Sequence, residues 1–295
     1  MLPPNVSPFP QETPWKSTLI NFLRFTKIEH TAFSLPLVIA GSWIANQGQP
    51  PGLPLLLLIV AAAAGARIFG MSLNRIVDRR IDARNPRTAS RELPSGRMSV
   101  TKALAVALMG LGVYLAACAA LGGWCLALCP IPLVPLLGYS WLKRFTALCH
   151  FGIGLCLALA PLGAYVATTG GIRFSAGIVL FAVFVFFWLS GADIIYALLD
   201  LKSDLANGIH SLPAAIGRSN ALAISAACEL IALGALTAVY MVSGRGGAST
   251  AALLLAAASM ALMVLPAIPE QLRFFPISTT AGIFAAFVPI FGRWM

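Results

Sequence analysis

The chain has 295 residues, of which 59% are hydrophobic and 10% charged, with 20 Lys and Arg against 10 Asp and Glu for a formal net charge of +10. Its mean hydropathy is +0.86, and since soluble domains carry about 25% charged residues, the composition excludes a soluble globular protein and implies an integral membrane protein. The excess of bases does not mark a nucleic-acid binder either, because the bases gather at the ends of apolar segments.

In chain order, the first fifteen residues are Pro-rich and lack an apolar core, which argues against a cleaved signal peptide, and residues 1–20 read as a cytoplasmic N-terminal segment. Apolar runs of roughly 20 residues, enough to cross a bilayer, are expected near 28–46, 53–73, 101–120, 123–141, 148–168, 175–197, 218–243, 248–268 and 274–292. The remaining residues hold no separate soluble domain. The expected fold is therefore an all-α integral membrane protein, a single transmembrane domain over 1–295 with about nine transmembrane helices.

The bases alternate with the spans. Lys16, Arg24 and Lys27 precede the first, and Arg75, Arg79, Arg80, Arg84, Arg87, Arg91, Arg97 and Lys102 crowd the connection from the second to the third. Lys143 and Arg144 follow the fourth, Lys202 and Arg218 bracket the next such connection, and Arg273 lies in the last. The opposite connections hold only Arg173 and Arg245, with Arg293 near the C-terminus. Positive charge favours the cytoplasmic side, so the N-terminus is expected inside and the C-terminus outside, which requires an odd number of spans. A basic face also suits anionic membrane lipid. The six cysteines fall mostly within spans without a CxxC pair and read as small apolar residues.

Four of the ten acids sit in two short stretches. In NRIVDRRID, Asn74, Asp78 and Asp82 are spaced i, i+4, i+8 and line one helix face, which Met71 and Arg67 extend into the membrane. Arg75, Arg79 and Arg80 are expected to point elsewhere, toward the headgroups. In YALLDLKSD, Tyr196, Asp200 and Asp204 repeat the spacing, with Asp193 seven residues before Asp200. An acid deep in a span costs roughly 2.5–3.5 kcal/mol even on the lenient scale, and neighbouring carboxylates repel unless a cation lies between them. Carboxylates with one amide oxygen form a hard-oxygen site that suits Mg²⁺, which commonly completes its shell with substrate phosphates. Arg67, Lys143, Arg144 and Lys202 stand at membrane ends on the same side, placed to neutralise a diphosphate. A solvated helix end paired with local arginines explains one such stretch as well as a metal does; two on the same side favour the metal.

The connections after Asp82 and Asp204 echo one another, each carrying an Asn, a Ser or Thr and a Leu-Pro pair. A duplication would set the two acidic helices opposite each other around a central cavity. Phe181, Phe184, Phe186, Phe187 and Trp188 offer π faces to a cation, although helix or lipid packing explains such residues more often. His30 and His150 read as interfacial, whereas His210 stands beside the second motif.

These motifs resemble those of the UbiA superfamily of intramembrane prenyltransferases, over roughly residues 20 to 290. Asn74, Asp78 and Asp82 are similar to its first motif and Asp200 and Asp204 to its second. Arg67 matches the arginine preceding the first motif, Tyr139 to Lys143-Arg144 its element after the fourth helix, and Asn85 to Gly96, with Arg87, Arg91 and Glu92, its following loop. Asp193 and Tyr196 also have counterparts. The resemblance implies nine helices, transfer of a polyprenyl group from polyprenyl diphosphate, and Mg²⁺, two ions, held by Asn74, Asp78, Asp82, Asp200 and Asp204. It implies a diphosphate met by Arg67, Lys143, Arg144 and Lys202. Within the superfamily the chain looks most like the 4-hydroxybenzoate polyprenyltransferase-like branch, which prenylates aromatic acids, 4-hydroxybenzoate or a dihydroxynaphthoate, in ubiquinone or menaquinone synthesis.

Two departures bear on the acceptor: Glu92 stands where benzoate enzymes usually carry Pro, and Arg75 where they usually carry Asp. Arg67, Arg87 and Arg91 are candidates for the acceptor carboxylate, and Asp193 for its hydroxyl. The expected setting is a prokaryotic plasma membrane, with the active site open to the cytoplasm. The rivals are the same chemistry on haem, homogentisate or a lipid, and a secondary transporter of organic anions. The transporter predicts charges near span centres, whereas these acids lie near span ends. A CDP-alcohol phosphotransferase needs a DxxDGxxAR-like run that the chain lacks.

Overall fold

The computed structural model describes residues 14–27 and 31–294. Residues 1–13, most of the expected cytoplasmic segment, lie outside the described residues, as do residues 28–30, which include His30 and open the first expected span. The regular elements among the described residues are all helical. They are α1 (Pro14–Thr26), α2 (Thr31–Ala45), α3 (Leu53–Asp82), α4 (Val100–Leu121), α5 (Gly123–Leu128), α6 (Pro130–Leu142), α7 (Cys149–Thr169), α8 (Ala176–Ala197), α9 (Leu201–Asn207), α10 (Leu212–Ile216), α11 (Arg218–Val242), α12 (Gly247–Met263), α13 (Glu270–Leu272) and α14 (Ser278–Ile290).

Among the described residues, seven helices are long and apolar enough to cross a membrane: Leu53–Asp82, Val100–Leu121, Gly123–Leu142, Cys149–Thr169, Ala176–Asn207, Arg218–Val242 and Glu270–Ile290. Two shorter apolar helices, Ser34–Ala45 and Gly247–Met263, fall where the first and eighth spans are expected. Large apolar side chains such as Leu57, Leu108, Val134, Leu230 and Leu254 are exposed, an exterior that a bilayer tolerates and water does not. The chain is an integral membrane protein.

Local chemistry sets the ends of these helices. Ser99 caps α4 by accepting from the Lys102 amide at 3.2 Å, and Ser175 caps α8 from Ile178 at 3.5 Å. Helix α7 closes on Gly170 and α9 on Gly208, at φ 64° and 65°, the left-handed conformation that glycine adopts without penalty. Helix α3 runs nine residues past the expected apolar end at 73, because its three arginines are good helix formers and no Gly or Pro interrupts them. At 1.5 Å per residue its 30 residues span about 45 Å, more than the roughly 30 Å hydrocarbon core, so its charged last turns can stand clear of the lipid. Pro130 breaks the fourth span into α5 and α6. A 3₁₀ turn at Leu198–Asp200 separates α8 from α9.

Helix α8 forms the centre of the core. Ile178, Phe181, Phe184, Val185, Trp188, Ala192 and Ile195 are buried together against α7 and α11, with Gly282 of α14 set against the Trp188 ring. Phe181, Phe184 and Trp188 therefore serve packing. Helices α3 and α4 cross at Gly65 and Gly110. A Cβ on Gly65 would stand 2.6 Å from the Tyr114 amide, and one on Gly110 2.8 Å from the Phe69 amide, so small residues permit this backbone approach. The packing leaves the C-terminal ends of α3, α6 and α8 gathered at one end of the bundle.

Candidate active site

The site grows from Asn74, Asp78 and Asp82 on the last turns of α3. Asn74 Nδ2 donates to Asp78 Oδ2 at 2.9 Å and to Ser140 Oγ at 3.0 Å. Lys143 Nζ donates to the same Asp78 oxygen at 2.6 Å, and Arg144 lies 3.3 Å from Oδ1. Arg144 also donates to the carbonyls of Ser140 at 2.7 Å and Val77 at 3.1 Å, which fixes the guanidinium between α3 and α6. Asp78 is 2% exposed. At that burial a carboxylate needs its cations, and the segment after α6 supplies two.

Residues 83–99 fold back as a strap over the ends of α3 and α8. Its shape is set internally: the Asn85 carbonyl accepts from Thr88 at 2.9 Å and Ala89 at 2.8 Å, and the Glu92 carbonyl accepts from Met98 at 3.0 Å. Thr88 Oγ1 donates to the Asp82 carbonyl at 3.0 Å. Arg91 Nη1 then meets both Asp82 oxygens, at 2.8 and 2.9 Å. Arg87 Nε donates to Asp200 Oδ1 at 2.8 Å, its Nη2 pairs with Oδ2, and its Nη1 donates to the Tyr196 hydroxyl. Asn85 Nδ2 donates to Asp200 Oδ1 at 2.6 Å. Burial alone would lower the Arg87 pKa, but its contacts with Asp200 and Tyr196 outweigh that and hold it above the ordinary arginine value. The Tyr196 ring is clamped between this guanidinium, 4.5 Å from its centroid, and the stacked Phe274 ring at 4.0 Å.

The second motif repeats the spacing of the first but straddles a change of helix type. The 3₁₀ turn puts Asp200 at its end and Asp204 on α9. Asp204 lies in the electrostatic field of Asp200, Lys143 and His150, so Lys143 links the two motifs. Tyr139, on α6, neighbours Asp78 and Asp193. Asp193 Oδ2 lies 2.7 Å from His150 Nδ1, and His150 Nε2 accepts the Leu212 amide at 3.1 Å. The acceptor role of Nε2 assigns the proton of a neutral ring to Nδ1.

Most of the predicted residues thus come together: Asn74, Asp78, Asp82, Arg87, Arg91, Tyr139, Lys143, Arg144, Asp193, Tyr196, Asp200 and Asp204. Arg67 donates from Nη2 to the Lys27 carbonyl at 3.1 Å. Lys202 is exposed and stands outside these contacts, and the His210 side chain is also exposed, although its amide donates to the Lys143 carbonyl at 2.8 Å.

Two expectations are corrected. His150 is not interfacial: it is buried and ties α7 to α8 and α10. Arg75 does not reach the headgroups; it is 4% exposed, because with Asp78 and Asp82 it falls at i, i+3, i+7 on the face the strap covers. Asn85 and Ser140 were missed as site residues, and only their neighbourhood to the motifs could have signalled them. An apolar groove of about 290 Å³ runs between α7 and α8, lined by Leu155, Leu159, Leu162, Val183 and Phe186 among others. It begins about two turns along α8 from Asp193.

Residues 34–270 match the UbiA prenyltransferase family. A 4-hydroxybenzoate octaprenyltransferase of Tolumonas auensis is 30% identical over 200 residues, 68% of each chain. A UbiA homolog from Aeropyrum pernix K1 shares the fold with a TM-score of 0.75 and 32% identity, over 90% of this chain and 95% of that one. A UbiA homolog from Archaeoglobus fulgidus, bound to GPP and Mg²⁺, aligns with a TM-score of 0.67 and 20% identity over 92% and 99% of the two chains, a likeness of fold. The chain belongs to the UbiA prenyltransferase family.

Proposed function

We propose that this enzyme transfers a polyprenyl group from polyprenyl diphosphate to an aromatic acid, 4-hydroxybenzoate or a dihydroxynaphthoate, on the way to ubiquinone or menaquinone. One observation carries the reading: the acids of two motifs more than a hundred residues apart meet lysine and arginine side chains at one end of the bundle. That is the charge pattern for a diphosphate bound through a divalent cation. The nine-span count, the single domain over 1–295, the cytoplasmic N-terminus and the prokaryotic inner membrane belong to the same reading.

The donor set of Asn74, Asp78, Asp82, Asp200 and Asp204 is hard oxygen and fits Mg²⁺ in its chemistry. Among the described residues no three His, Cys, Asp or Glu side chains are grouped closely enough to hold a metal. The carboxylates instead hold Lys143, Arg144, Arg91 and Arg87, so binding exchanges these contacts for metal and diphosphate. Two Mg²⁺ ions would be held by Asn74, Asp78 and Asp82 from α3 and by Asp200 and Asp204 from beyond α8. Bound there, Mg²⁺ would stabilise charge on the departing diphosphate.

The chain's own residues do the rest. Lys143, Arg144, Arg87 and Arg91, freed from the acids, neutralise diphosphate oxygens; Arg67 and Lys202 are further candidates for that role. Tyr196, its ring stacked on Phe274, steadies the Arg87 guanidinium over the site, and Tyr139 lines the wall beside Asp78. Asp193, oriented by His150, accepts a hydrogen bond from the acceptor hydroxyl. The strap over the site keeps water from the cationic carbon.

The test is transfer of a radiolabelled prenyl group by purified protein in detergent. It supplies 4-hydroxybenzoate and dihydroxynaphthoate separately, with Mg²⁺ or EDTA. Metal-dependent product with one acid names the pathway. Absence of product with both, from folded protein and several tail lengths, sinks the aromatic-acid reading and turns attention to haem, homogentisate or lipid acceptors.

A further inference from the structure

Arg75 is a charged group in the wall of the site that the scheme above leaves unused. It directly follows Asn74 and shares the buried stripe of Asp78 and Asp82. Its Nε and Nη1 are fully buried and have no hydrogen-bond partner. The groups acting on it are Arg91, Asp82, Glu92 and Tyr196. Both acids are engaged elsewhere, Asp82 with Arg91 at 2.8 Å and Glu92 with Arg97 at 3.6 Å. Arg75 and Glu92 are also the two positions at which the sequence departs from the benzoate-type pattern, and the fold makes them neighbours.

A guanidinium keeps its charge at any ordinary pH, and burying it with open donors is strongly unfavourable unless an anion arrives. Its planar fork matches a carboxylate. The sequence offers Arg67, Arg87 and Arg91 for the acceptor carboxylate, but Arg67 holds the Lys27 carbonyl, and Arg87 and Arg91, once released from Asp200 and Asp82, are spent on the diphosphate. Arg75 also lies about one turn further into the membrane than Asp78, three residues at 1.5 Å each. It is thus set back from Asp78 and from the Lys143 and Arg144 groups that meet it.

We propose that Arg75 determines acceptor specificity by binding the carboxylate of the aromatic acid, a step that rests on the aromatic-acid reading above. The experiment measures binding of 4-hydroxybenzoate and of 4-hydroxybenzamide to full-length wild type, R75K and R75Q in detergent. Transfer kinetics at saturating Mg²⁺ run alongside, with the aromatic acid that wild type uses. A charge-assisted hydrogen bond lost on substitution predicts a rise of about 10- to 100-fold in KM for the acid in R75Q. KM for prenyl diphosphate and binding of the carboxamide stay within about twofold, and R75K falls between.

A rise in KM for prenyl diphosphate with the acid unaffected would assign the anion to the diphosphate and overturn the proposal. Equal losses on acid and carboxamide would overturn it too, leaving Arg75 a structural residue. If R75Q does not fold, R75K, which keeps charge but loses the fork, carries the comparison. Wild type that transfers to neither acid defeats the aromatic-acid reading instead. The preference for carboxylate over carboxamide, in wild type against the variants, then decides Arg75 on its own.

Discussion

The two acidic motifs share a spacing but not a setting. The first lies on one unbroken helix of 30 residues, with Asp78 and Asp82 buried and each met by cations from another segment. The second straddles a 3₁₀ turn, its acids are half-buried, and Asp200 is fixed from outside by Asn85 and Arg87 of the strap. A rigid wall thus faces an adjustable one. On the proposed function the first motif would organise the site and the second would adjust to the diphosphate, and substitutions should reveal that inequality.

The largest effect falls on Asp78, which touches Asn74, Lys143 and Arg144 at once. Asp78→Ala should cut transfer by about 10³-fold. It should also cost about 1–3 kcal/mol of stability by stranding the half-buried Lys143 and Arg144, read as a fall in the thermal midpoint in detergent. Asp78→Asn should lose the activity while keeping more of the stability. On the adjustable wall, Asp200→Asn should cost about 10²-fold and Asp204→Asn about 10-fold, in the same assay with Mg²⁺ titrated. Equal losses for Asp200 and Asp78 would remove the distinction between the walls.

His150 joins α7 to both α8 and the start of α10, so it steadies the adjustable wall without standing among its acids. His150→Gln should lower stability by about 1–3 kcal/mol, the cost of leaving Asp193 and the Leu212 amide less satisfied, with a smaller loss of activity. Protease sensitivity of the 208–217 connection, compared with that of the strap, checks whether the loosening stays on this side.

How much of this was legible in the sequence follows the same divide. The i, i+4, i+8 stripe of Asn74, Asp78 and Asp82 could be drawn because α3 is a regular helix and its faces follow from the period. Arg75 is expected at the headgroups although the same period sets it at i, i+3, i+7 with Asp78 and Asp82; what the wheel does not give is the segment that folds over that angle. The strap covers that angle, and its anchors, Arg87 on Asp200 and Asn85 on Asp200, cross more than a hundred residues. The spacing of the second motif repeats that of the first, and YALLDLKSD contains no proline or glycine to announce the 3₁₀ turn. His150 looked interfacial because it begins a span; its burial depends on α10 reaching across to it, a contact between residues 62 positions apart.

The smallest predicted effect is at Lys202. It lies between Asp200 and Asp204 in sequence, and by spacing alone it belongs with the diphosphate-binding bases. In the structure it occupies the first turn of α9 with its side chain exposed, apart from the contacts that join Asp78, Asp82 and Asp200. An exposed charge is screened over about 8 Å at physiological salt, so Lys202→Ala should change KM for prenyl diphosphate by no more than about twofold, and that difference should vanish as salt is raised. Lys143→Ala, by comparison, removes the base that contacts Asp78 and lies near Asp204, and should be far more damaging. A salt-resistant loss of tenfold or more in Lys202→Ala would mean that α9 swings over the bound diphosphate. The adjustable wall would then move as a lid, carrying Asp204 and Lys202 together onto the site that Asp78 and Asp82 hold still.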